Sequence, residues 1–321
     1  QLAKDAGAEA ERLSGQLLTA TTGERPDLWF SYHLYHKAPD WIGPSVATRL
    51  GIPYVVAEAS YAPSQENGPW DKGLRQTAQA LSQARGVLSL NPRDLKCIQG
   101  LLDPRAHQLL LKPFLVDAFP PDRSHREHRA KLAKHYGLVI DQPWLIAVAM
   151  MRSGDKSRSY SMLAQSLSLI EDLPWQIILV GDGPARTEIE KAFASVAQQR
   201  VCFCGQLDPL ATADLLTAAD LFTWPALNEA FGMAILEAHR HGLPVVAGYT
   251  DGVASLVNDG QTGLLTRPPE PVVFANAMRR LLEDPDLRRR MALSARDKFL
   301  EQHDFDAAAS RIQQFLLQVR P

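Results

Sequence analysis

The sequence predicts an α/β protein of two domains, each built on a parallel sheet. Three observations carry that prediction. A length of 321 residues exceeds the usual size of one domain. Short apolar runs alternate with longer amphipathic stretches, the pattern of strands joined by crossover helices. The second half holds six such runs, enough for a doubly wound sheet. Hydrophobic residues make up 45% of the chain, ample to give each domain a core.

Taken in order, residues 1–18 read as a helix with no strand before it. Candidate strands follow at 28–32, 53–57, 86–90 and 109–114. Only these four precede residue 141, and the chain opens Gln1-Leu2-Ala3-Lys4-Asp5 without an initiator Met or a signal-like apolar run. The expectation is therefore a first domain, residues 1–141, that lacks its leading strands and leaves a sheet edge or apolar face exposed. Phe119-Pro120-Pro121-Asp122 is a natural break. The basic stretch 123–134 after it is either a surface for anionic lipid, permitting peripheral membrane contact, or a solvated connecting helix. Its Glu127 and the lack of a broad apolar face favour the helix. Past Asp141-Gln142-Pro143, a second domain over 142–302 holds strands at 144–149, 176–180, 201–204, 221–224, 244–247 and 263–265. Phe305, Ile312, Phe315, Leu316 and Val319 recur at near-helical spacing, so 303–321 is read as a last helix packing back toward the first domain.

With 34 Lys and Arg against 36 Asp and Glu, the formal charge is −2, which gives no overall pull toward nucleic acid or anionic lipid. No apolar run approaches the ~20 residues that span a bilayer, so no transmembrane segment is expected. Cys97 stands alone and Cys202 and Cys204 share one strand face; all three read as buried core thiols of a reducing, cytoplasmic compartment.

Chemistry concentrates in Pro225-Ala226-Leu227-Asn228-Glu229-Ala230-Phe231-Gly232-Met233-Ala234-Ile235-Leu236-Glu237-Ala238, which follows a strand and is expected to open a helix. At helical rise Glu229 and Glu237 lie about 12 Å apart, roughly the span from the sugar of a nucleotide-sugar to its ribose. Glu229 could then accept hydrogen bonds from sugar hydroxyls and Glu237 from the paired ribose hydroxyls. A diphosphate between them would meet free amides at Phe231 and Gly232, where glycine permits close approach. The segment alone equally suits two ordinary helix-surface charges. Arg152 and Lys156, at the carboxyl end of the domain's first strand, are either incidental loop charges or the grip on that diphosphate, which they could neutralise without a metal.

These residues resemble the nucleotide-binding domain of the GT-B glycosyltransferases, specifically glycosyltransferase family 4. The Glu229 to Glu237 spacing matches that family's E-x7-E signature. Around it Leu179-Val180-Gly181-Asp182-Gly183-Pro184, Val201-Cys202-Phe203-Cys204-Gly205, Ala218-Ala219-Asp220-Leu221, His241-Gly242-Leu243-Pro244-Val245-Val246 and Asp259-Gly260-Gln261-Thr262-Gly263-Leu264-Leu265 occur in the family's order, over residues 144–300. The resemblance implies two Rossmann-like doubly wound domains facing a cleft. It also implies a retaining, metal-independent, hexosyltransferase-type transfer from a nucleoside diphosphate donor to a carbohydrate or glycolipid acceptor, as in carbohydrate biosynthesis, by front-face attack and with no cofactor or nucleic acid. Arg152 and Lys156 then resemble the cations on the donor phosphates, across a loop one residue shorter than in many relatives. Relatives often carry a carboxylate where this chain has Ser255, in Asp251-Gly252-Val253-Ala254-Ser255; Gly252 is kept as a donor contact.

The first half resembles the family through Pro26-Asp27-Leu28-Trp29-Phe30-Ser31-Tyr32-His33 and Gly51-Ile52-Pro53-Tyr54-Val55-Val56. A strand-end histidine often faces the cleft in such enzymes, and His33 is the choice here, ahead of His36. It would contact the transferring sugar or orient the acceptor, or it is a satisfied structural histidine. Residues 1–25 hold no glycine-rich turn of the kind the family's first strand carries, and Lys112-Pro113-Phe114-Leu115-Val116-Asp117 stands where relatives have Pro-Asn-Gly. A sugar-nucleotide epimerase or phosphorylase of the same architecture, or a non-catalytic nucleotide-binding module, is the alternative.

Other motifs carry less. Gly181-Asp182-Gly183-Pro184-Ala185-Arg186 lacks the third glycine of a dinucleotide fingerprint and reads as a strand-to-helix turn. Asp304-Phe305-Asp306 has metal-like spacing far from the strand ends. His239 and His241 near a helix end are expected at the surface, with no metal.

Overall fold

The computed structural model describes residues 2–19, 25–116 and 125–320. The chain forms two compact units, Gln1–Pro113 with Asp306–Pro321, and Phe114–Phe305.

The first unit runs α1 (Leu2–Leu18), β1 (Trp29–Tyr32), α2 (Gly43–Leu50), β2 (Tyr54–Ala57), α3 (Asp71–Gln83), β3 (Gly86–Ser89), α4 (Pro92–Ile98) and β4 (His107–Leu110). Among the described residues its sheet has four parallel strands in the order β1-β2-β3-β4. The last strand starts two residues earlier than the apolar run predicted, because His107 to Leu110 pair with Gly86 to Ser89 and Pro113 has no N–H to extend the ladder. Its core packs Leu34, Val56, Ala80, Leu81, Val87 and Ile98. β1 forms one edge, where Phe30 and Tyr32 are 44% and 69% exposed.

The second unit runs α5 (His125–Tyr136), β5 (Trp144–Val148), α6 (Asp155–Ser168), β6 (Gln176–Val180), α7 (Arg186–Ala192), β7 (Val201–Gly205), α8 (Pro209–Ala218), β8 (Leu221–Trp224), α9 (Met233–Arg240), β9 (Val245–Gly248), α10 (Asp251–Leu256), β10 (Gly263–Thr266), α11 (Pro271–Glu283) and α12 (Pro285–Gln302). A final helix, α13 (Phe305–Val319), belongs almost wholly to the first unit and buries Phe315 and Val319 there. Among the described residues the second sheet has six parallel strands in the order β10-β9-β8-β5-β6-β7. Near-continuous Val, Ile and Leu in β5, β6 and β9 suit strands covered on both faces. The strand order reverses between β5 and β8, which makes their carboxyl ends the topological switch point of the sheet.

Three details depart from the sequence reading. The passage between units falls at 113/114 rather than near 141, because α5 is tied into the second unit: Arg129 donates to the carbonyls of Ala218 and Gln142 and pairs with Asp220 at 3.0 Å. The break at 119–122 lies outside the described residues. Cys97 is exposed on α4, and Cys202 and Cys204 are half-buried, their sulfurs 3.7 Å apart on an edge strand, so none is a fully buried core thiol. His239 is fully buried rather than at the surface, because the apolar side of α9 packs on α12 and carries it inward. Burial, together with the Lys298 and His303 charges, pushes its pKa down to about 3, and burial beside Arg240 and Arg296 takes His241 to about 4.

Candidate active site

At the switch point of the second unit the structure brings residues following β5 against residues following β8. α6 opens at Asp155 behind Gly154, and its first turn receives the β8–α9 loop. Leu227 N–H donates to Ser159 Oγ at 3.1 Å and Asn228 Nδ2 to Asp155 Oδ2 at 2.9 Å. The Asn228 hydrogen bond and the Arg158 charge hold the Asp155 carboxyl below the ordinary range. From the other side Thr250 Oγ1 donates to the Glu229 carbonyl at 2.8 Å. Those ties fold the loop back with left-handed φ at Ala226 and Asn228, both 53°, and at Gly232, 76°.

The loop conformation corrects the expected single helix. α9 starts at Met233, so Glu229 stands before it in the loop and only Glu237 lies on the helix. Gly232 is the N-cap, its carbonyl accepting Ile235 N–H at 2.8 Å, and Phe231 precedes it. The first two amides of the helix are thus those of Met233 and Ala234, after Gly232 rather than at Phe231 and Gly232.

Lys156 Nζ forms an ion pair with Glu229 Oε2; the two side chains are only 21% and 17% exposed. The same ammonium lies over the Trp224 ring at 5.3 Å. Arg152, on the loop before α6, is exposed. Gly252, in the first turn of α10, has a supporting place: a Cβ there would fall 1.5 Å from the Ala230 carbonyl oxygen and 3.1 Å from Phe231 N. Any larger residue would push the loop off its seat.

Glu237 lies farther along α9, beside a cavity of about 270 Å³ walled by Val148, Leu207, Leu216, Arg240 and His241. A cavity lined by apolar side chains with a few polar groups, here Glu237, Arg240 and His241, is the pattern of a small-molecule site. Gly181 to Ala185 form the expected strand-to-helix turn. Among the described residues no three His, Cys, Asp or Glu are grouped to hold a metal, and no helix is long and apolar enough to cross a membrane.

His33 lies in the first unit, one residue beyond β1, with a left-handed φ of 67° and its N–H on the Ala57 carbonyl at 2.9 Å. It lines a depression of about 370 Å³ with Ser31, Tyr32, Leu34 and Asp40. Its Nδ1 lies 3.4 Å from Glu58, a residue sequence reasoning passed over. The available signal was positional: parallel strands in register put the residues just beyond their ends side by side.

Residues 142–284 match the family described as glycosyl transferases group 1. The chain is 30% identical over 237 residues to an alpha-D-kanosaminyltransferase of Streptomyces kanamyceticus, an alignment covering 73% of this chain and 60% of that protein. It is 28% identical over 319 residues to a D-inositol 3-phosphate glycosyltransferase of Xylanimonas cellulosilytica, covering 90% and 74%. Among solved structures it superposes on Anabaena HepE in complex with UDP with a TM-score of 0.71 at 19% identity, covering 96% and 82%. On sucrose-phosphate synthase from Thermosynechococcus elongatus the TM-score is 0.64 at 21% identity, covering 99% and 79%. The fold is that of the GT-B glycosyltransferases. The chain spans 60% of the kanosaminyltransferase's length.

Proposed function

We propose that this chain, whose residues 142–284 match the glycosyl transferases group 1, moves a sugar from a nucleoside diphosphate donor to a carbohydrate or glycolipid acceptor, with retention and without a divalent metal. The observation that carries this reading is the Lys156 to Glu229 ion pair at the switch point of the six-stranded sheet, where open parallel sheets take their ligands. A donor would exchange that pair for better partners. Lys156 and Arg152 take the diphosphate, whose negative charge grows as the glycosidic bond breaks. Glu229, released from Lys156, accepts hydrogen bonds from the donor sugar. Phe231 and Gly232 bring the backbone close to the phosphates, and Gly252 seats the loop that carries them. Glu237 takes the ribose hydroxyls, with the base in the apolar cavity beside it. His33 contacts the transferring sugar or orients the acceptor.

In the retaining step the acceptor oxygen bonds to the anomeric carbon on the face from which the phosphate oxygen departs. The acceptor's proton passes to that departing phosphate oxygen. Glu229 is occupied in positioning, so the step calls for no covalent adduct on the protein. A reducing, cytoplasmic setting fits the unpaired thiols of Cys97, Cys202 and Cys204.

The experiment is to incubate the full chain in EDTA with a panel of nucleotide-sugars, with and without acceptor extract, and follow nucleoside diphosphate release. Acceptor-stimulated release in chelator is the expected result. Release seen only after magnesium or manganese is restored would sink the metal-free role of Arg152 and Lys156. Epimerised donor without release would favour the epimerase alternative.

A further inference from the structure

We propose that Glu58 is a positioning residue for His33, turning the imidazole so that Nδ1 carries the proton and Nε2 offers its lone pair to a sugar hydroxyl. This rests on the reading of the chain as a sugar transferase, but the orientation of the ring can be tested without it.

The geometry follows from strand register. β1 and β2 run parallel with Tyr32 opposite Ala57, so His33 and Glu58 are the first residues beyond the two carboxyl ends. Both leave their strands in the left-handed region, at φ 67° and 51°. Neither is Gly or Asn, and a side chain bearing a Cβ is strained in that conformation. Each still carries a ladder bond: His33 N–H donates to the Ala57 carbonyl and Glu58 N–H to that of Leu88, each at 2.9 Å. The same unusual backbone at adjacent strand ends turns the two side chains toward one another, with Nδ1 3.4 Å from Oε2. Strain repeated at neighbouring strand ends on the ligand-binding edge of a sheet is a mark of function.

The surroundings fix the roles. An ionised Glu58 only accepts, and its carboxylate holds the neighbouring Tyr32 phenol above its ordinary pKa. Facing it, a neutral His33 must carry its proton on Nδ1, which leaves Nε2 as the acceptor. The Tyr35 ring meets the imidazole edge-on with centroids 5.0 Å apart, and the Tyr32 ring stands 5.9 Å away, so two aromatic rings neighbour the imidazole. His33 nevertheless keeps 57% of its side chain exposed against 28% for Glu58, the order expected if the histidine meets a ligand and the glutamate supports it. The aromatic edge beside them suits the apolar face of a sugar ring, and a lone pair suits its hydroxyl proton.

The test is long-range proton–nitrogen correlation on the full chain labelled with ¹⁵N-histidine, the His33 signals being assigned by their loss in His33→Ala. A ring with a protonated Nδ1 and a bare Nε2 in the unmodified protein is expected, reverting in Glu58→Ala to the Nε2-protonated form favoured in water and recovering in part in Glu58→Asp. An Nε2-protonated ring in the unmodified protein, or an unchanged tautomer in Glu58→Ala, overturns the proposal. In the transfer assay Glu58→Ala and His33→Ala should each lower acceptor-stimulated turnover about tenfold, the scale of one lost hydrogen bond, and the double variant should fall no further. If the tautomer shifts as expected while His33→Ala transfers at full rate, the orientation stands and the assignment of His33 to the reaction falls.

Discussion

The carboxyl edges of the two parallel sheets are organised by different means. In the second unit the β8–α9 loop is anchored on both sides, by Ser159 and Asp155 from α6 and by Thr250 ahead of α10, and a buried-side ion pair closes it. In the first unit the edge is two residues deep. His33 and Glu58 stand there on left-handed backbone, held by their mutual contact and by the Tyr35 and Tyr32 rings, with Tyr32 itself exposed. Under the proposed transfer the two arrangements suit different ligands: a rigid cage suits a charged diphosphate, and one oriented ring suits a sugar hydroxyl.

That contrast makes the anchored edge the more sensitive to substitution. Glu229→Gln removes the charge proposed to meet the donor sugar while preserving shape, and turnover should fall about a hundredfold or more, as when one preorganised electrostatic contact is lost. Steady-state rates of nucleoside diphosphate release check this, and a loss below fivefold would mean that the carboxylate does not meet the donor.

If Glu237 accepts from the ribose hydroxyls as proposed, Glu237→Ala should weaken nucleoside diphosphate binding by roughly 1.5–3 kcal/mol. Calorimetry reads this directly, and unchanged affinity would remove Glu237 from the ribose. The same comparison shows what sequence could and could not reveal. The spacing of Glu229 and Glu237, the strand before them and the six apolar runs were all legible, because each is a local pattern. The conformation of 226–232 was not, since it depends on Ser159, Asp155 and Thr250 reaching the loop from distant parts of the chain. His239 was misplaced for a similar reason: a histidine near a helix end resembles a dipole partner until α12 is known to cover it. Glu58 was missed because its meaning comes from pairing with His33 across two strands.

Acid should separate the two units. The folded-state pKa of His239 lies at about 3, below the ordinary value of 6.5. Its contribution is therefore complete above about pH 6.5 and is lost as pH falls toward 3, because the unfolded chain takes up the proton first. At pH 5 the loss from this one fully buried group is about 2 kcal/mol. Hydrogen exchange at pH 7 and pH 5 should show α9 and α12 losing protection while β2 and β3 of the first unit change less. Equal loss in both units would place the acid sensitivity elsewhere.

The smallest effect expected is on the first edge. Glu58→Gly relieves a strained left-handed φ at a partly exposed position, so thermal unfolding should show a gain of about 0.5–1 kcal/mol even as transfer slows. A clear destabilisation would mean that the Glu58 contacts outweigh the strain, and that the edge is firmer than its geometry implies.

Whether the crevice between the ends of β5 and β8 holds the donor diphosphate is decided by one titration: nucleoside diphosphate into the unmodified chain and into Lys156→Ala, in EDTA, with hydrogen exchange confirming an intact six-stranded sheet in both. Binding without metal by the unmodified chain is expected, with an affinity at least about tenfold lower once the ammonium facing Glu229 is removed. Equal affinity in the two proteins, with the sheet intact, would contradict it.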